Sequence, residues 1–115
     1  MSVRGAGEKI DAAMRELPGV SAGPHRFGGT EYRVGRREIG HVHGDALVDI
    51  PFTKKVREEL IAAGRAERHH VLPESGWVSV WLREAGDVER AMELLKQSFE
   101  TAAERRPRVK IAGAP

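Results

Sequence analysis

Within the stretch REIGHVHGDALVDI, residues 37–50, two imidazoles stand two positions apart at His41 and His43, followed by carboxylates at Asp45 and Asp49. Two histidines separated by one residue share a face if the segment is a strand, because strand side chains alternate. On one face they could chelate a metal, provided that a third ligand joins them, and Asp49 and His70 are the candidates. The same residues could act as a His-carboxylate pair for binding or proton transfer. A plain hairpin whose histidines hydrogen-bond locally is the alternative, and the turn decides between them. A two-residue turn at Gly44-Asp45 pairs His41 with Val48, whereas a three-residue loop, Gly44 to Ala46, sets His41 opposite Asp49. Only the second register builds a cluster.

A second set of side chains lies in ERHHVLPESGWVSVWL. Reading PESG as a four-residue loop sets Leu72 opposite Trp77, His70 opposite Ser79 and Arg68 opposite Trp81. Val78, Val80 and Leu82 then enter the core with Val71 and His69. Trp77, Ser79 and Trp81 point the other way, beside His70 and Arg68, whose guanidinium is expected to stack on an indole. Two of the six aromatics thus occupy one face, as at an interface or a ligand pocket. Ser75 lacks the strand-to-helix elbow of a nucleophile and reads as a turn serine. No catalytic residue is assigned.

The elements that would hold these groups follow from periodicity. EKIDAAMREL repeats apolar residues at helical spacing and stops at Pro18-Gly19. Four short apolar runs, VSAGPHRF, TEYRV, EIGHVH and ALVDIPF, are separated by glycine-bearing turns and predict strands. Thr53 is the expected cap of KKVREELIAAG, and Gly64 its end. After the second hairpin, Asp87 is the expected cap of a helix with Val88, Ala91, Met92, Leu95, Phe99 and Ala102 on one stripe. The order α-β4-α-β2-α predicts an α+β fold: one antiparallel sheet of about six strands with three helices mainly on one face, leaving the other face for water, a partner or a ligand. Residues 1–106 are read as one domain and 107–115 as a frayed tail.

Composition narrows the partners. Nineteen basic and seventeen acidic residues give a formal charge of +2, too little for a dedicated nucleic-acid binder. Arg33, Arg36, Arg37, Lys54, Lys55 and Arg57 are interleaved with glutamates and read as a mixed, solvated surface. RFGGT and YRVGRRE do not have phosphate-loop spacing and read as turns. Without cysteine there is no disulfide, thiolate nucleophile or sulfur-ligated metal. The absence of a secretory leader or a membrane-spanning run leads to the expectation of a cytoplasmic protein with no membrane partner.

The ordered motifs GHxH (Gly40, His41, His43), DIPF (Asp49 to Phe52), GRAExHxxxPxSGW (with His69, Pro73, Ser75, Gly76 and Trp77) and DVxxAxxLL resemble the small bacterial and fungal luciferase domain, over roughly residues 24–104. The element order is also similar to the MmcQ/YjbR group, which implies a compact α+β fold and, by analogy, DNA binding. The luciferase label implies no luciferase chemistry, because flavin luciferases are barrels of about 250 residues. No flavin or coenzyme is expected.

Three functions are carried forward, the third being DNA binding by analogy to the MmcQ/YjbR group. The first is a non-catalytic binding or interaction domain whose open face, with Trp77, Trp81, His70, Arg68 and Ser79, meets a protein, a small ligand or a second copy. The second is a small metal- or histidine-dependent enzyme using His41, His43 and Asp49.

Overall fold

The computed structural model describes residues 2–26 and 28–105; the tail expected at 107–115 lies outside them. Helix α1 (Ala6–Arg15) is followed by strands β1 (Val20–Pro24), β2 (Thr30–Val34), β3 (Arg37–His43) and β4 (Leu47–Pro51). Helix α2 (Lys54–Ala62), strands β5 (Glu67–Arg68) and β6 (Trp77–Trp81), and helix α3 (Ala85–Arg105) complete the chain. The six strands form one antiparallel sheet in the order β1-β2-β3-β4-β6-β5. This is the α+β architecture that the periodicity predicts.

Alternation along β4 and β6 sets the two faces. Val48, Ile50, Val78 and Val80 are fully buried against Ile10 and Met14 of α1, Leu60 of α2, and Val88, Ala91, Leu94 and Leu95 of α3. Each such side chain stabilises the fold by roughly 1.5–3 kcal/mol relative to exposure. The opposite face of the same strands carries Leu47, Asp49 and Pro51, paired across to Trp81, Ser79 and Trp77. Helix α3 lies against Gly40, where an added Cβ would stand 2.4 Å from Leu95 Cδ2 and 3.1 Å from the Asp49 carbonyl oxygen, at a φ of +154°. Only glycine fits there.

Local chemistry sets the ends of the helices. Thr53 Oγ1 accepts from the Val56 N–H at 3.2 Å, capping α2. Gly64, at φ +71°, ends it in a left-handed turn in which the Arg65 N–H reaches the Leu60 carbonyl at 2.9 Å. Helix α3 starts two residues before the expected Asp87. The Asp87 carboxylate instead reaches back from the first turn to the backbone N–H groups of Arg83 and Glu84, at 2.8 Å each.

The second hairpin departs from the sequence reading. Glu67 pairs with Ser79 and Arg68 with Val78, so β5 is two residues long and residues 69–76 form one long loop. PESG is not a four-residue turn, for two physical reasons. His69 Nδ1 accepts from the N–H groups of Val71 and Leu72, at 3.1 and 2.9 Å, and so turns the chain early. Arg57 then donates to the Ser75 carbonyl at 2.7 Å, tying the loop to α2. Val71 and Leu72 stand 67% and 53% exposed instead of entering the core.

Candidate metal centre on the sheet face

The first hairpin takes the three-residue loop. His41 pairs with Asp49, Val42 with Val48 and His43 with Leu47. A distant contact sets this register. The Asp45 carboxylate accepts from the N–H groups of Gly5 and Gly7, at 3.1 and 2.8 Å, capping the start of α1. Asp45 is therefore a helix cap and takes no part in the histidine cluster.

The face away from the helices gathers all five histidines of the chain around Asp49. The Asp49 side chain is buried, and its Oδ1 accepts from Ser79 Oγ at 2.7 Å. Four imidazole Nε2 atoms surround its Oδ2: His41 at 3.1 Å, His43 and His70 at 3.2 Å, and His69 at 3.5 Å. His25 stacks on His41 with ring centroids 3.9 Å apart. Trp77 lies 5.2 Å from His41 and 6.1 Å from His69, and Trp81 lies 5.8 Å from His70. Both indoles are half-buried.

A β-bulge supplies another partner. Tyr32 pairs with Gly40 and Arg33 with Glu38, leaving Ile39 as the extra residue in β3. Regular alternation would put Glu38 and His41 on opposite faces; the extra residue puts them on one. Glu38 Oε2 then lies 2.7 Å from His41 Nδ1.

The protons can be assigned from these contacts. His69 accepts two backbone N–H bonds on Nδ1, so its neutral ring carries hydrogen on Nε2, turned toward Asp49. His41 has a carboxylate at each ring nitrogen. Burial works against its charge, but Asp49 and Glu38 outweigh burial and raise it to about 9, so both nitrogens donate at neutral pH. Burial opposes charge on Asp49 too. Hydrogen bonds from His41 and Ser79, with His69 and His70 beside it, still hold its carboxyl well below the usual carboxylate range. His43 is pushed down by burial and then by the charge on His41, and His69 by burial.

The Nε2 atoms of His41 and His69 lie 3.1 and 3.5 Å from Asp49 Oδ2, and the His41 N–H bonds to it. The Nε2 atoms of His43 and His70 approach the same oxygen, so a cation between these three groups would satisfy two nitrogen lone pairs and a carboxylate together. The ligand atoms of His43, Asp49 and His70 all lie within 4.8 Å of one another. For bonds of 2.0–2.1 Å, tetrahedral ligands stand about 3.3 Å apart, close to the 3.2 Å of both imidazoles from Oδ2. The residues present therefore fit a divalent transition ion.

The chain from Arg36 to Ser98 matches the family model described as luciferase domain. The chain belongs to the luciferase-domain family. Neither the curated proteins nor the solved structures include a match. The luciferase-domain segment holds His41, His43, Asp49, His69, His70 and Ser79; His25 precedes it.

Of the residues predicted from sequence, His41, His43, Asp49, His70, Ser79, Trp77 and Trp81 share this face. Arg68 does not. It pairs with Val78 and turns to the helix side, where it bonds Glu58 at 2.9 Å and the Pro73 carbonyl at 3.3 Å. The cause is the shortened β5, which moves Arg68 from the predicted place opposite Trp81 to one opposite Val78, three positions away and so on the other face. Ser79 has no exposed surface and serves Asp49. His25, His69 as a cluster member, and Glu38 escaped the sequence reading. Glu38 has no parity signal because the bulge reverses it, and His69 depends on the loop. The histidine count was the available clue to His25.

Two of the basic residues read as part of a mixed, solvated surface have specific partners. Arg57 is buried beneath the 69–76 loop, and Arg33 bonds Glu31. Among the described residues, no helix is long and apolar enough to cross a membrane.

Proposed function

We propose that this luciferase-domain protein is metal-dependent, with His43, Asp49 and His70 as the ligands of a divalent first-row transition ion. One observation carries the reading: the Nε2 atoms of His43 and His70 both lie 3.2 Å from Oδ2 of the buried Asp49, and the ligand atoms of all three residues stand within 4.8 Å of one another. Two histidines and one carboxylate leave coordination positions open, a feature of catalytic rather than closed structural centres. An ion held there supplies Lewis acidity and an acidified water. His41, His69 and Ser79 hold the carboxylate in place, the outer role that typically changes metal affinity by about 10- to 100-fold. His70 is exposed and His43 half-buried, so a small oxygen-donor ligand reaches this side from solvent, beside Trp81.

The test uses tag-free chain, stripped with chelator and dialysed against micromolar Zn²⁺ or Co²⁺, with bound metal measured by mass spectrometry. His43→Ala and His70→Ala should each lose one ion relative to wild type. Wild-type chain that holds no ion, or variants that hold as many as wild type, would refute the reading.

A second reading is that the same side of the molecule meets a protein partner or a second copy. Exposure of Val71 and Leu72 beside His70 favours it. Light scattering of wild type against Val71→Ser/Leu72→Ser decides this: a species of unchanged, monomeric mass in both removes self-association.

A further inference from the structure

We infer that the sheet face holds a second metal site, formed by His25, Glu38 and Nδ1 of His41. This goes beyond the His43-Asp49-His70 centre and uses none of its ligands. Ligand atoms of the three residues lie within 4.8 Å of one another. The bulge at Ile39 places Glu38 on the histidine side of the sheet, and the exit of β1 places His25 over His41. The two imidazoles lie nearly parallel, with an interplanar angle of 25°. His25 and Glu38 are half-buried and His41 is buried, which is partial shelter for an ion without a closed cage.

Proton accounting connects the two sites. With a carboxylate at each ring nitrogen, His41 satisfies both only when both nitrogens carry hydrogen. A metal ion beside Glu38 takes the place of the Nδ1 proton, which leaves to solvent. The ring then binds the ion through the Nδ1 lone pair and keeps its Nε2–H on Asp49 Oδ2, 3.1 Å away. No bond of the first centre is broken. Each site then has two imidazoles and one carboxylate, a set suited to Zn²⁺, Fe²⁺, Co²⁺ and their neighbours. Four of the five histidines become ligands, while His69 stays a fixed N–H donor. His41 is at once a ligand of one site and an outer support of the other.

The experiment is equilibrium dialysis of the tag-free, chelator-stripped full chain against micromolar Zn²⁺, repeated with Co²⁺, with metal per chain from mass spectrometry. Circular dichroism confirms the fold of each variant. Wild type should hold two ions. His25→Asn and Glu38→Gln should each hold one, His43→Ala should hold the other one, and His25→Asn/His43→Ala none. If His25→Asn does not fold, Glu38→Gln, which is of the same size, decides alone. One ion in wild type, lost in His43→Ala and kept in Glu38→Gln, overturns the second site and leaves the first standing. Two ions retained in Glu38→Gln also overturn it, and no ion in wild type overturns both.

Discussion

Replacing Ser79 with alanine tests whether Asp49 is held as the geometry requires. Ser79 Oγ donates to Asp49 Oδ1 at 2.7 Å, and neither residue has exposed surface. The substitution deletes one oxygen and leaves Oδ1 without its donor, in a place that water does not reach. A hydrogen bond to a charged group contributes about 1.5–3 kcal/mol, so a loss of about 2 kcal/mol is expected. The assay is urea unfolding of metal-free protein in chelator at pH 7. With a slope of about 1–3 kcal/mol per molar urea for a small domain, the midpoint should fall by about 1 M. Ser79 also helps to keep the Asp49 carboxyl depressed. A depressed carboxyl contributes stability above its unfolded pKa that is lost as pH falls through the folded one. Weakening that depression makes acid unfolding of Ser79→Ala begin at higher pH than in wild type. A midpoint within about 0.2 M of wild type, roughly a fifth of the expected shift, together with an unchanged acid limb, would refute the argument.

Gly40→Ala drives a methyl group to 2.4 Å from Leu95 Cδ2 at a φ of +154°; overpacking and backbone strain together should cost about 2–5 kcal/mol, read by thermal melting, and a melt like wild type would show that α3 does not press on β3 at this point. In metal-free protein, His41 is raised to about 9 by Asp49 and Glu38 against burial, so its contribution is complete below the unfolded value of about 6.5 and disappears as pH rises through about 9. His43 and His69 are depressed; their contributions are lost as pH falls, so they oppose the decline only near the unfolded value of about 6.5 and are already complete where His41 titrates. Urea midpoints between pH 6.5 and 9.5 should decline, and less so in Glu38→Gln; a flat wild-type profile contradicts the clamp.

The alternation in LVDIP and WVSVW made the two faces of the central strands legible, because a sheet with one covered face must segregate its valines and isoleucines. Trp77 and Trp81 lie on the predicted side although the predicted pairing of β5 was wrong. Their side follows from β6 and its partner β4, while the pairing depended on a loop shaped by His69 and Arg57. His41, His43, Asp49 and His70 stood out by residue type. Their convergence on one oxygen did not, since it needs the Gly44–Ala46 loop, which Asp45 fixes through a contact some forty residues away in the chain. Glu38 shows the limit most clearly: a single inserted residue reverses the side on which it stands, and no periodicity in REIGHVH announces it.

The tie between Asp45 and the backbone of Gly5 and Gly7 acts as a proofreading device for the hairpin. A slip by one position would unmoor the first helix and swing both imidazoles of β3 into the greasy interior, so two penalties arrive together. Docking of that helix and correct threading of the hairpin thus form one cooperative step, and lengthening the bend by a residue should damage helix and metal chemistry alike.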